Sequence, residues 1–215
     1  GPNIDHALNA LGIGINEVDG IFHTHCHDDH LVGLTTLMRG DHRVKYFAVP
    51  MVRASVQKKL SASLRAPEEE FGEFFDVHEL QLGMWNNVDG LDVMPILSPH
   101  PVETTIFHFR MLWEGGHRTY AHLADTVSFD VMTKMIAPDD APYGIRQARY
   151  DATVEAYGLK ADVKKIDVGG GMIHGRAADF SGDTSGKLIL SHTSRRLTEE
   201  ERAIGSGAPF GTVDV

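Results

Sequence analysis

Apolar residues recur along this chain at two spacings that alternate from segment to segment. Ile4, Leu8 and Leu11 stand at helical intervals with Gly12 behind them, which predicts a short helix over residues 4–11. Residues 18–23 read as a strand. Leu31, Leu34, Leu37 and Met38 then mark one face of a helix that starts near Asp28 or Asp29 and stops before Gly40. Residues 45–49 form the next strand, and Val52, Val56, Leu60 and Leu64 make a stripe that predicts an amphipathic helix. The acidic run 68–70 reads as a solvated face. Residues 91–97, 105–112 and 118–124 look like consecutive strands, with Glu114-Gly115-Gly116-His117 as a hairpin turn between the last two. Helices are expected at 128–136 and at 142–157, the second opened by Pro142 and closed by Gly158. Strands at 163–168 and 187–190 bracket a glycine-rich turn, and Thr198 with Glu201 forms a capping box for a final helix, stapled by Leu197.

Composition narrows the class. A chain of 215 residues with 42% hydrophobic content suits one globular domain with a real core, spanning residues 1–215. The net charge of −10 and the lack of a Lys/Arg-rich run argue against a general nucleic-acid or membrane-surface protein, which needs a cationic footprint. Apolar segments fall well short of the roughly 20 residues of a membrane span, and no basic-then-apolar leader pattern opens the chain. A soluble, cytoplasmic protein is the expectation. Cys26 is the one cysteine, so no disulfide can form within the chain, in keeping with a reducing compartment. Flanked by His25 and His27 in an extended segment, it should face away from whatever they bind and act as a small buried hydrophobe.

The chemistry concentrates in residues 23–30, HTHCHDDH, where four histidines and two aspartates follow an apolar strand. Burying so many polar groups is costly unless hydrogen bonds or a metal satisfy them, so the stretch points to a metal. Enzyme metal sites sit where strands end and loops begin, because a rigid sheet then fixes what the loops present. His25, His27, Asp29 and His30 meet that rule at a strand-to-helix turn. So do His100 in the stiff Ser98-Pro99-His100-Pro101 loop, Asp125 at the end of strand 118–124, and His192 just after strand 187–190. His6, His23, His42, His78, His108, His117 and His122 read as hydrogen-bonded structural residues.

His25-Cys26-His27-Asp28-Asp29-His30 resembles the His-x-His-x-Asp-His signature of the metallo-β-lactamase fold superfamily, and His100, Asp125 and His192 follow in that family's order. The resemblance implies an α+β fold, an αββα sandwich of two sheets between outer helices. It implies one metal on His25, His27 and His100, a second on Asp29, His30 and His192, and Asp125 bridging. Such members carry several strands before the signature, whereas 24 residues precede His25 here, so part of the N-terminal sheet is expected to be missing. Residues 210–215 look like a strand cut short. The chain is then a fragment, a truncated homologue, or one whose exposed sheet edge is covered by another copy or a partner.

Two divalent cations about 3.5–4 Å apart can lower the pKa of a shared water and supply a hydroxide nucleophile, which makes hydrolysis the natural outcome. Asp29 is placed to act as general base and His174, after the Gly169-Gly170-Gly171 turn, as the proton donor to the leaving group. His174 ahead of residues 188–195 is similar to the phosphodiesterase branch of the superfamily, including RNase Z-type enzymes. A phosphodiester or other small anionic ester is therefore the expected substrate, with Arg195 and Arg196 as candidates to hold its charge; solvated, helix-flanking charge is their other reading. Zinc is the first expectation for both ions, and manganese or iron suit the same donors. Three further readings are a thioester or lactam hydrolase, a di-iron redox or oxygen-binding protein, and a degenerate binding module. Di-iron relatives carry a glutamate where His27 stands, and all seven ligands are present, which weighs against the last two.

Overall fold

A computed structural model describes residues 1–208; the strand expected at 210–215 lies outside the described residues. The chain falls into two compact units, Gly1–Leu82 and Gly83–Ala208.

The first unit is built on a three-stranded parallel sheet, β1 (Gly20–Phe22), β2 (Val44–Ala48) and β3 (Phe75–Glu79), in that order. Parallel neighbours require crossovers, and helices supply them: α2 (Asp28–Leu31) and α3 (Leu34–Leu37) between β1 and β2, then α4 (Pro50–Leu64) and α5 (Phe71–Phe74) between β2 and β3. A short α1 (Ile4–Ala10) precedes them. The stripe of α4 buries Val52, Val56 and Leu60, whereas Leu64 is exposed at the C-terminal turn, where Arg65 closes the helix in the left-handed region at φ 57°. Tyr46 points to the face where Phe71 and Phe75 meet it at ring distances of 5.2 and 5.7 Å. Phe47, on the opposite face, stacks on Phe22 and on His78.

Two expectations change here. The single helix over 28–39 breaks into α2 and α3 at Val32-Gly33, where a Cβ on Gly33 would stand 2.4 Å from the Gly1 carbonyl oxygen, so only glycine admits that approach. Strand β3 has no counterpart in the sequence pattern: its alternation of Phe75 and Val77 with Asp76 and His78 spans five residues directly behind an acidic segment and a helical turn.

The second unit carries a seven-stranded sheet in the order β10-β9-β8-β7-β6-β5-β4. β4 (Asn86–Val88), β5 (Leu91–Ser98), β6 (Thr104–Trp113) and β7 (Gly116–His122) form an antiparallel meander, with the expected turn at Glu114-Gly115. From β7 onward, β8 (Val163–Asp167), β9 (Lys187–Ser191) and the two-residue β10 (Ser206–Gly207) pair in parallel. The crossover into β8 contains α6 (Phe129–Lys134) and α7 (Gln147–Gly158), and the one into β10 contains α8 (Glu199–Ile204). Met132, Ala156 and Tyr157 pack on Ile106, Ala121, Leu123, Ile166, Leu188 and Leu190 of the sheet. Lys164, fully buried on the helix-covered face, donates to the Tyr157 carbonyl at 2.9 Å and pairs with Asp183.

Helix α7 starts at Gln147 rather than Pro142. The preceding residues instead pair with the end of α6: Ala137 N–H donates to the Ile145 carbonyl at 2.9 Å, and Ile145 N–H to the Met135 carbonyl at 2.9 Å. Gly144 between them takes φ 82°, and a Cβ there would lie 2.6 Å from both the Ala137 methyl and the Met135 carbonyl. The capping box of α8 forms as expected, with Glu201 N–H donating to Thr198 Oγ1 at 3.2 Å and Thr198 N–H to Glu201 Oε2 at 2.8 Å.

Candidate metal centre

In the first unit, β1 hands the chain directly to the histidine cluster. His23 N–H still donates to the Phe47 carbonyl at 2.9 Å, continuing the ladder, and the next residues run on to the start of α2. His25 is fully buried, its ring centroid 4.9 Å from that of His27 and 4.1 Å from that of His30. Thr24 Oγ1 shares a 3.1 Å hydrogen bond with His25 Nδ1, which fixes the ring and turns Nε2 to the cluster. Asp29 Oδ2 lies 3.3 Å from His30 Nε2. The intervening positions behave differently. Asp28 pairs at 2.8 Å with Lys59 of α4, and the same ammonium donates to the Cys26 carbonyl at 2.8 Å, so α4 pins the loop at the signature's spacer residues. Cys26 itself is buried, as a small hydrophobe should be.

In the second unit, three imidazoles converge on one carboxylate oxygen. Asp125 Oδ2 is 3.4 Å from His192 Nε2, 3.8 Å from His174 Nδ1 and 3.9 Å from His100 Nε2, and Asp125 is 1% exposed. Two donors on one tetrahedral ion at about 2.1 Å are about 3.4 Å apart, so the separations suit coordination better than direct hydrogen bonding. The backbone beside these residues is unusual: Ala124 and His192 both adopt left-handed φ, 48° and 62°. Non-glycine residues bear strain there, and such strain clusters at functional sites. Ala124 is steadied by its N–H donating to His122 Nδ1 at 3.1 Å.

Asp167, at the end of β8, is a site residue that the sequence pattern did not single out. It is fully buried and accepts from Gly169 N–H at 2.8 Å, Thr126 N–H at 3.1 Å and Gly175 N–H at 3.2 Å. His174 Nδ1 lies 3.0 Å from its Oδ2, and His192 Nδ1 lies 3.6 Å from its Oδ1. Asp125, Asp167, His174 and His192 can bring ligand atoms within 4.8 Å of one another, yet Asp167 is the poorest ligand of the four because its lone pairs are already engaged. It is an orienting group, holding His174 by Nδ1 and leaving Nε2 free of that contact. The rule that found Asp125, a carboxylate at a strand end, also describes Asp167. Two glycines make the geometry: a Cβ on Gly169 would lie 2.9 Å from the His174 ring, and one on Gly175 would lie 2.5 Å from Thr126 Oγ1 and 2.6 Å from the Asp167 carbonyl. Lys165 precedes this corner on β8; burial lowers its pKa, and Asp125 and Asp167 oppose that shift.

Arg195 is engaged otherwise than expected. Its guanidinium makes a bidentate pair with Glu201 at 2.7 and 2.6 Å, tying the loop after β9 to α8 rather than facing a ligand. Arg196 offers its carbonyl to Arg195, and no ion pair among the described residues holds its side chain. Several of the remaining histidines show structural partners: His108 Nε2 lies 3.1 Å from the Ala156 carbonyl and burial pulls its pKa down to about 4, His42 pairs with Asp41, and His78 pairs with Asp76. His23 is buried, which draws its pKa down to about 3 and keeps it neutral.

The sequence matches the family model described as a beta-lactamase superfamily domain over residues 4–153, and the chain belongs to that superfamily. Solved structures with the metallo-β-lactamase fold resemble it along most of its length. The fold protein YhfI from Bacillus subtilis covers 92% of this chain and 78% of its own at 14% identity and a TM-score of 0.57. Human tRNase Z, short form, covers 96% and 82% at 16% identity and a TM-score of 0.58, and yeast PDE1 covers 91% and 68% at 14% identity and a TM-score of 0.59. These likenesses show the fold. No curated protein matches the sequence significantly.

Proposed function

We propose that this chain is a dinuclear metal-dependent hydrolase acting on a phosphodiester or another small anionic ester, with its two compact units serving as halves of one domain. The family model, which runs through the boundary between the units, supports the single-domain reading. His25, His27 and His100 would hold one divalent cation, Asp29, His30 and His192 the other, and Asp125 both; zinc suits these donors, as do manganese and iron. The donor chemistry fits, with imidazoles gathered beside the buried Asp125 carboxylate and with second-unit separations of coordination length. When bound, the cations would activate a water and offset developing negative charge.

One observation carries the hydrolytic reading: His174, outside the seven expected ligands, stands beside Asp125 and His192 with its Nδ1 held by Asp167. An oriented imidazole at the edge of such a cluster handles a proton, and a leaving alkoxide needs one. Asp29 would take the proton from the attacking water. With Arg195 engaged by Glu201, Arg196 is the guanidinium left beside His192 for the substrate's anionic group. The test is elemental analysis of the purified protein followed by turnover of a chromogenic phosphodiester, with thioesters and lactams in parallel, by wild type and Asp125→Ala. Two zinc or manganese ions per chain and turnover lost in Asp125→Ala are expected. Equal turnover by both proteins would overturn the dinuclear mechanism, and a di-iron spectrum that bleaches on reduction would overturn hydrolysis.

A further inference from the structure

Outside the expected ligands of the first unit, Nε2 of His23 and the hydroxyl of Tyr46 are buried polar atoms that lack a hydrogen-bond partner among the described residues. Both residues are buried, at 5% and 0% exposure, and their rings are neighbours at 5.6 Å. A buried polar atom without a partner is costly, and folded proteins keep few of them. Here the two are complementary. The other ring nitrogen of His23 hydrogen-bonds the backbone of His25, where the carbonyl accepts, and a neutral ring that donates from one nitrogen accepts at the other. Tyr46 has a proton to give. Phe71 and Phe75 wall the tyrosine ring with apolar surface, which favours a single small guest over a larger polar one.

We propose that one internal water bridges the Tyr46 hydroxyl to His23 Nε2, and that His23 is a positioning residue for the ligand loop because its ring holds the backbone of His25. The second half rests on the metal-centre reading; the first does not. Buried waters of this kind make two to four hydrogen bonds and are costly to remove. Tyr46→Phe keeps the ring and deletes the hydroxyl. It is expected to melt about 2–4 °C below wild type and to lose one long-lived water in oxygen-17 relaxation dispersion. A variant that melts at the same temperature or higher, as deletion of a dry and unpaired hydroxyl would give, overturns the water site. His23→Phe is expected to bind zinc about 10–100-fold more weakly with unchanged circular dichroism, and His23→Asn, whose amide can still donate to the carbonyl, to recover most of that loss. Unchanged zinc affinity in His23→Phe overturns the positioning role. A wild type that binds no zinc overturns the metal centre and leaves the water site to stand or fall by melting.

Discussion

Asp167 shows how one buried carboxylate can set the place of a neighbouring imidazole. Its carboxylate gathers three backbone N–H groups and the His174 ring, so the turn after β8 and the proposed proton donor share one anchor. Asp167→Asn keeps the size but turns an acceptor edge into a donor facing N–H groups. It should lower kcat by about 10²–10⁴ with little change in KM, as loss of an oriented acid does, and steady-state kinetics would show the split. Gly169→Ala should slow turnover, because the new methyl presses on Cγ and Cβ of His174 and on the His192 carbonyl. Gly175→Ala meets backbone on one side and should also lower the melting temperature. The candidate cluster was legible because imidazoles and carboxylates at such density, directly behind an apolar strand, are rarely stable without a cation to share. Asp167 was not, because a single carboxylate at a strand end looks the same whether it binds solvent, a cation or its own loop; only the convergence of N–H groups from residues 126, 169 and 175 separates these cases.

Among the elements, those with sustained periodicity were readable and those shaped by backbone pairing were not. The stripe of α4 and the β5–β7 meander follow from side-chain spacing alone. The late start of α7 depends on Ile145 pairing with residues beside α6, and the strand β3 is too short to establish a period. Element α8 carries a pH signature. Glu201, held by Arg195 and by the Thr198 N–H, has its pKa lowered to about 2 from an ordinary 4.5. A depressed carboxylate contributes stability that is present above its unfolded pKa and lost as pH falls through the folded one. The anchoring of α8 should therefore weaken between about pH 4.5 and 2, followed by hydrogen exchange at residues 198–204. Glu201→Gln should remove that dependence. Deeper in the same unit, Asp183→Asn would strand the buried Lys164 ammonium and should cost about 3–5 kcal/mol in denaturant melts, whereas replacing both partners by apolar residues should cost less.

For the whole molecule, superfamily membership and the metallo-β-lactamase fold frame the proposed metal centre. Bound ions stabilise whichever state holds them. Zinc at 100 times its dissociation constant should contribute about 2.7 kcal/mol and raise the melting temperature by about 5–10 °C, with a chelator reversing the gain. A melting temperature indifferent to both zinc and chelator would remove the metal from the reading. Among the described residues, no helix is long and apolar enough to cross a membrane.

The turn between β8 and His174 separates two tasks that many catalytic loops mix. Its base is closed by Asp167 and by Gly170 N–H donating to the Gly175 carbonyl at 3.1 Å, while at its tip Met172 and Ile173 are 78% and 38% exposed. Exchanging those two residues for polar, aromatic or charged ones should leave the imidazole where it is, which makes the tip a natural place for a small mutant library that probes the proposed ester preference.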